Sequence, residues 1–148
     1  MEFSYSVEQQ ELRQLAAQIF SDRVTDEFRR DFSRSGEPHD RQLWATLAEA
    51  GLLGIAIAEE QGGSGLGLTE LCLLLEEQGR SLAPVPLLAT LVLGALPVQK
   101  FGSAAQRAAL LPRVVSGELL LTAALEETGG GDPLRPAVKA TAQGEGWR

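Results

Sequence analysis

The sequence predicts a mainly α chain, about five helices followed by the first strands of an incomplete β domain. Three observations carry that expectation. Apolar residues recur at three- and four-residue spacing through most of the chain, as a helix with one buried face requires. Capping side chains stand before these runs and glycines after them. Then the pattern changes. Gly117 to Asp132 reads G-E-L-L-L-T-A-A-L-E-E-T-G-G-G-D, an apolar run that looks like a strand and breaks into two acids and three glycines. Two or three strands alone are marginal and leave open edges, so this β part reads as the beginning of a larger unit.

The elements follow in order. Residues 6–32 carry Val7, Leu12, Leu15, Ala16, Ile19, Phe20, Val24, Phe28 and Phe32 on one stripe, which predicts a single long helix. Ser6 is its candidate cap. Glu8, Glu11, Arg13, Asp22, Arg23, Asp26, Arg29 and Arg30 form the opposite, solvated face. Ser33 to Asp40 is a loop by its turn chemistry, and Asp40 caps a second helix to about Ala50 that buries Leu43, Trp44, Leu47 and Ala48. Gly51 suits the left-handed position behind it. Leu52 to Leu68 reads as a short extended piece leading into a loop with Gly62, Gly63, Gly65 and Gly67. That cluster lacks both a following G-K-[ST] and dinucleotide-binding spacing, so it is weak evidence for phosphate binding.

A third helix starts at Thr69 and runs to about Gln78. Leu71, Leu74 and Leu75 point inward, Glu70, Glu76 and Glu77 outward, and Gly79 ends it. Residues 84–100 make a fourth, with Pro84 or Pro86 in its first turn and Gly102 closing it. Ser103 and Gln106 form a capping box for a fifth helix towards Val115, bent or shortened by Pro112 and stopped by Gly117. Glu118 to Leu125 is the expected strand, and Ala137 to Trp147 an extended segment turning at Gly144 and Gly146.

Composition narrows the function. The chain has 148 residues, 44% of them hydrophobic and 22% charged, which fits roughly one soluble globular domain. A net charge of −7 argues against a nucleic-acid binder and against docking on an anionic membrane. With one cysteine, Cys72, and one histidine, His39, no disulfide forms within the chain, and a multi-ligand Cys/His zinc site is excluded. Cys72 reads as a small buried hydrophobe and His39 as a solvated loop residue. The N-terminus shows no secretory signal, and the apolar run Leu82 to Val98 is short of a membrane span, so the cytoplasm is the expected compartment.

The order of motifs resembles the flavin-dependent acyl-CoA dehydrogenases. Ala50-Gly51-Leu52-Leu53-Gly54-Ile55 followed by Glu59-Glu60-Gln61-Gly62-Gly63-Ser64-Gly65-Leu66 is similar to that family's "GLLGI…PEEYGGSGL". Leu75-Glu76-Glu77-Gln78-Gly79-Arg80 is like "EELGR", and Pro84-Val85-Pro86 follows. Phe101-Gly102-Ser103 with Gln106, then Leu111-Pro112 and Ser116-Gly117-Glu118, resemble "FGTEEQK…YLPRLASGE". Ala124-Leu125-Glu126-Glu127 with Gly130-Gly131-Asp132 looks like "A-L-T-E-P-x-A-G-S-D".

The resemblance implies an N-terminal helical domain over 1–116 and the start of a truncated middle β domain over 117–148. It implies FAD as cofactor and an acyl-CoA substrate in lipid metabolism. A carboxylate removes the α-proton while the β-hydrogen leaves as hydride to the flavin. Electron-transfer flavoprotein is the implied acceptor, and a homo- or hetero-oligomer the implied assembly. The family's catalytic glutamate belongs to a part not matched here, so no residue of this chain is the base and the chain alone is expected to be inactive.

Carried over by position, Leu125, Glu126, Glu127, Gly130 and Gly131 lie at the flavin or thioester, Gly131 at the substrate as well. Leu87, Leu88, Leu91 and Val92 either wall the acyl pocket or are ordinary helix core. Glu126 stands where the family has a hydroxyl-bearing Thr, Thr128 where it has Pro, and Gly131 where it has Ser. These departures raise a second expectation, a diverged, non-catalytic subunit or helical interaction domain that partners an active paralogue.

Overall fold

The computed structural model describes residues 4–127, 132, 134–144, 146 and 147. Six α-helices, α1 Val7–Arg23, α2 Asp26–Ser35, α3 Arg41–Glu49, α4 Leu68–Ser81, α5 Leu96–Phe101 and α6 Ala104–Val115, surround one apolar core. A π-helix, Leu88–Ala95, runs directly into α5. Two 3₁₀ turns, Leu52–Gly54 and Glu59–Gln61, lie between α3 and α4. The described β structure is one antiparallel pair, β1 Ala142–Gln143 and β2 Gly146–Trp147, turning at Gly144 in the left-handed region. The fold is mainly α with the beginnings of a β part.

The capping chemistry acts where the sequence places it. Ser6 and Gln9 form a reciprocal box at the start of α1, as do Ser103 and Gln106 at α6. The Asp40 carboxylate accepts the Gln42 and Leu43 N–H groups at the start of α3, and Gly51 follows α3 with φ 74°. Pro112 stays inside α6.

The long first helix is two. Thr25 is extended, its hydroxyl accepts the Phe28 N–H, and a new helix starts there. The apolar stripe continues across the break, which is why periodicity conceals it. The face read as solvated is so at Glu8, Glu11, Asp22, Asp26 and Arg30, but two of its arginines hold the bundle together. Arg13 Nε donates to Glu77 Oε1 at 2.7 Å, tying α1 to α4, and Arg23 Nε donates to Asp40 Oδ2 at 2.7 Å, tying α1 to α3. Glu77 is therefore buried, not outward. It shares the inward side of α4 with Leu73 and Leu74, and Arg80 contacts it from the same helix. Cys72 is the converse. It is exposed, on the side of α4 that carries Glu76 and Gly79. α4 itself passes Gly79 and ends at Ser81.

The extended piece expected after Leu52 is instead the pair of 3₁₀ turns, with Leu52, Leu53, Ile55 and Ile57 all in the core. The segment is held from outside by Gln99 of α5, whose amide donates to Ala56 O at 2.9 Å and accepts from Ala58 N at 2.8 Å.

After α6 the chain turns at Gly117, φ 77°, and leaves as an arm. From 117 to 124 the arm alternates strictly between half-buried and exposed residues, the period of a strand. No strand pairs with it among the described residues, so the strand expected over 118–125 is present as an unpaired extended segment. Its inner residues, Leu119 and Leu121, pack on the core. Leu121 crosses the π-helix at Gly94 so closely that a Cβ on Gly94 would collide with Leu121 Cβ and backbone.

Two outcomes follow. Gly94→Ala forces the arm off the helix and is expected to cost about 1–3 kcal/mol, read as a lower urea midpoint at unchanged slope. Asp40 supplies an acid-sensitive contribution. Burial pushes its carboxyl up, but the Arg23 guanidinium and the Leu43 and Gln42 N–H groups outweigh this and leave it below its ordinary 3.8. A lowered folded value gives stability that is present above 3.8 and lost as pH falls through the folded value. Asp40→Asn is expected to flatten the stability-against-pH curve in that acid window, measured by denaturation at a series of pH values.

Candidate functional site

The arm and the π-helix beneath it form the candidate site. The arm is positioned at its root. Trp44 Nε1–H donates to Gly117 O at 3.0 Å, and Leu119 N–H donates to Arg113 O at 3.0 Å. Beyond Leu119, residues 120–127 make no backbone–backbone hydrogen bond to another described residue. Their N–H and C=O groups remain available to a ligand or a further strand.

The residues expected at the flavin or thioester occupy the far end of this arm. Leu125 and Glu126 are exposed, and Glu127 is half-buried. The two acids differ in what they touch. The Glu127 carboxylate accepts the N–H groups of Ala137 at 2.8 Å and Val138 at 3.0 Å. Gly130 and Gly131, with Thr128, lie outside the described residues.

The four residues expected at an acyl pocket do not share one wall. Leu87 and Leu91 are buried in the core, and Val92 packs against it. Leu88 is exposed and lines a shallow apolar groove with Leu75, Leu82 and Ala83. Leu82, in the left-handed conformation at the end of α4, presents its side chain to the same groove.

Sequence reading missed two features of this site. One is the π-helix itself, closed by the Leu96 N–H to Leu91 O bond. Such helices are rare and concentrate at functional sites. The other is Thr90, buried within it with no hydrogen-bond partner for Oγ1 among the described residues. The available signals were Gly94, an isolated glycine in an apolar helical run, and Thr90, the one polar residue in the stretch 82–98.

The glycine loop after the 3₁₀ turns is not a phosphate cradle. Its successive N–H groups, Gly62 through Gly67, are all spent on carbonyls of 54–59 or on the Glu70 carboxylate. Among the described residues no group of three His, Cys, Asp or Glu side chains converges on a metal position, and no helix is long and apolar enough to cross a membrane.

The backbone of the arm has the chemistry FAD needs: a run of N–H and C=O groups unpaired among the described residues can take the hydrogen-bonding edge of a flavin. The side chain at Glu126 fits less well, because a carboxylate opposes an electron-rich ring or a pyrophosphate. Glu127→Ala is expected to speed amide exchange at Ala137 and Val138 while leaving exchange in α1 and α4 unchanged, measured by hydrogen–deuterium exchange.

The sequence profile of the acyl-CoA dehydrogenase N-terminal domain matches residues 6–118. The chain is 34% identical over 148 residues to the acyl-CoA dehydrogenase FadE27 of Mycobacterium tuberculosis, covering all of this chain and 39% of that protein. Among solved structures, a variant of the Tcur3481-Tcur3483 steroid ACAD matches with a TM-score of 0.88 at 52% identity, over 95% of this chain and 38% of that one. The ChsE4-ChsE5 complex from Mycobacterium tuberculosis matches with a TM-score of 0.88 at 35% identity, over 100% of this chain and 40% of that one. The chain thus spans about two fifths of the length of these relatives. With the helical core, the caps and the sequence profile in agreement, the chain belongs to the acyl-CoA dehydrogenase family.

Proposed function

We propose that this chain is the N-terminal portion of an FAD-dependent acyl-CoA dehydrogenase, which introduces an α,β double bond into an acyl-CoA thioester. One observation carries the reading. In a chain of this family, the segment leaving the helical body crosses the π-helix and offers a backbone edge, unpaired among the described residues, where flavin and thioester contacts are expected. In this reading 1–116 is the N-terminal helical domain and 117–148 the start of the middle domain, a division that the turn at Gly117 supports.

FAD, when bound, supplies the two-electron acceptor. This chain's contribution is positioning. The arm around Leu125 to Glu127 orients the flavin and thioester, together with Gly130 and Gly131. Leu88 and Val92 supply apolar surface on the π-helix, while Leu87 and Leu91 hold that helix to the core. No residue of this chain is the α-proton base. Electron-transfer flavoprotein is the expected electron acceptor of the whole enzyme.

A second reading has its own observation. Glu126, exposed at the end of the arm, stands where a flavin-site hydroxyl is expected. A subunit that keeps the fold and loses part of the site fits an assembly in which an active paralogue carries the chemistry. The solved relative named as the ChsE4-ChsE5 complex is an assembly of two differently named chains.

The 148-residue chain alone is expected to reduce no electron acceptor with acyl-CoA, and turnover by the purified chain would overturn the assignment of the base elsewhere. A flavin absorbance spectrum of the complete reading frame, purified without a partner, separates the two readings. Stoichiometric FAD supports the dehydrogenase, and its absence, restored by co-expression with a paralogue, supports the non-catalytic subunit.

A further inference from the structure

Thr90 is fully buried, and its hydroxyl has no partner among the described residues. A buried hydroxyl left unpaired is destabilising, and a valine would fill the same volume without that cost. Helical threonines ordinarily bond the carbonyl three or four residues back. Here the Pro86 carbonyl, four back, already accepts the Thr90 N–H at 2.9 Å, and Thr90 Oγ1 bonds neither it nor the Leu87 carbonyl.

Its position is not arbitrary. Gly94, close to one turn further on and also buried, is where Leu121 of the arm meets the helix. This sets Thr90 on the side of the π-helix that the arm crosses. The arm beyond Leu119 has no ladder to break among the described residues, so the seam can part without loss of backbone hydrogen bonds. A polar group in an otherwise apolar seam discriminates strongly, since a ligand that satisfies it gains a bond and one that does not leaves it unpaired.

We infer that Thr90 Oγ1 recognises an oxygen atom on the acyl portion of the bound thioester, so that the site selects a hydroxyl- or keto-bearing acyl chain over an all-carbon one. This rests on the acyl-CoA reading above and adds the polarity of the substrate to it. Leu91 and Ala95 are buried on the same helix, and a bond made in such an apolar setting is selective.

The experiment uses the complete reading frame, as wild type and as Thr90→Val and Thr90→Ser. Binding is measured by calorimetry with CoA thioesters of one chain length, either unsubstituted or carrying a hydroxyl or keto group at successive carbons beyond C4. Melting temperature is measured without ligand. Wild type is expected to prefer at least one oxygenated thioester by about tenfold, the worth of one hydrogen bond. Thr90→Val is expected to lose that preference at unchanged or raised melting temperature, and Thr90→Ser to keep it. A preference that survives in Thr90→Val overturns the inference and leaves the acyl-CoA reading standing. So does a drop of several degrees in the melting temperature of Thr90→Val, which would mean that the hydroxyl is bonded inside the protein. A wild type that binds no CoA thioester overturns both.

Discussion

The hydrogen bond from the Trp44 indole to the Gly117 carbonyl fixes how the helical body hands the chain on. Trp44 is buried on α3, so its N–H must find an acceptor or remain desolvated and unpaired. Gly117 supplies one by adopting a positive φ, a conformation costly for a side chain, in a space where a Cβ would stand 3.0 Å from Ala48 Cβ. The bond therefore settles two things together. It satisfies the N–H of a buried indole, and it aims the arm across the π-helix towards Gly94. Everything at the candidate site depends on that direction.

The helical body behind this anchor is fastened by charge as well as by apolar packing. Arg13 with Glu77 and Arg23 with Asp40 each join a partly exposed guanidinium to a buried carboxylate. Removing one partner of such a pair leaves an uncompensated buried charge, so these contacts specify which helices meet more than they add net stability. Arg23 also lies over the Phe28 ring at 4.8 Å, which carries the same contact round to α2. α2 buries no residue of its own, so this contact, the half-buried Phe28 and the Arg29 Nη1 donation to Ser81 O at 3.0 Å fix its place.

Local chemistry was legible in the sequence where one residue suffices to produce it. Ser6, Asp40 and Ser103 cap the helices they precede, and Gly51, Gly102 and Gly117 end the helices they follow, because a short polar side chain or a missing Cβ acts on adjacent backbone. What was not legible depended on distant partners. Glu77 reads as outward until Arg13 arrives from α1. Thr25 reads as part of a continuous stripe because Val24 and Phe28 keep the period across the break. The π-helix has the same apolar composition as an α-helix, so periodicity does not separate the two. The arm's alternating pattern was visible as a strand, but a ladder needs a partner that the described residues lack. At the site, the sequence located the arm and missed the buried hydroxyl below it. Thr90 is ordinary by propensity, and only the absence of a partner makes it notable.

Gln99 adds a point about substitution. Its side-chain amide spans Ala56 O and Ala58 N, one donor to one acceptor, as a neighbouring peptide unit would. The loop thus obtains the hydrogen bonds of a strand partner from a single side chain on a helix. Glutamate has the same length and shape but presents only acceptors when ionised, so one of its oxygens would face the Ala56 carbonyl. A change of one atom, the commonest chemical ageing of an amide side chain, would convert this attachment into a repulsion. At this one attachment, the difference between nitrogen and oxygen decides between a bond and a clash of acceptors.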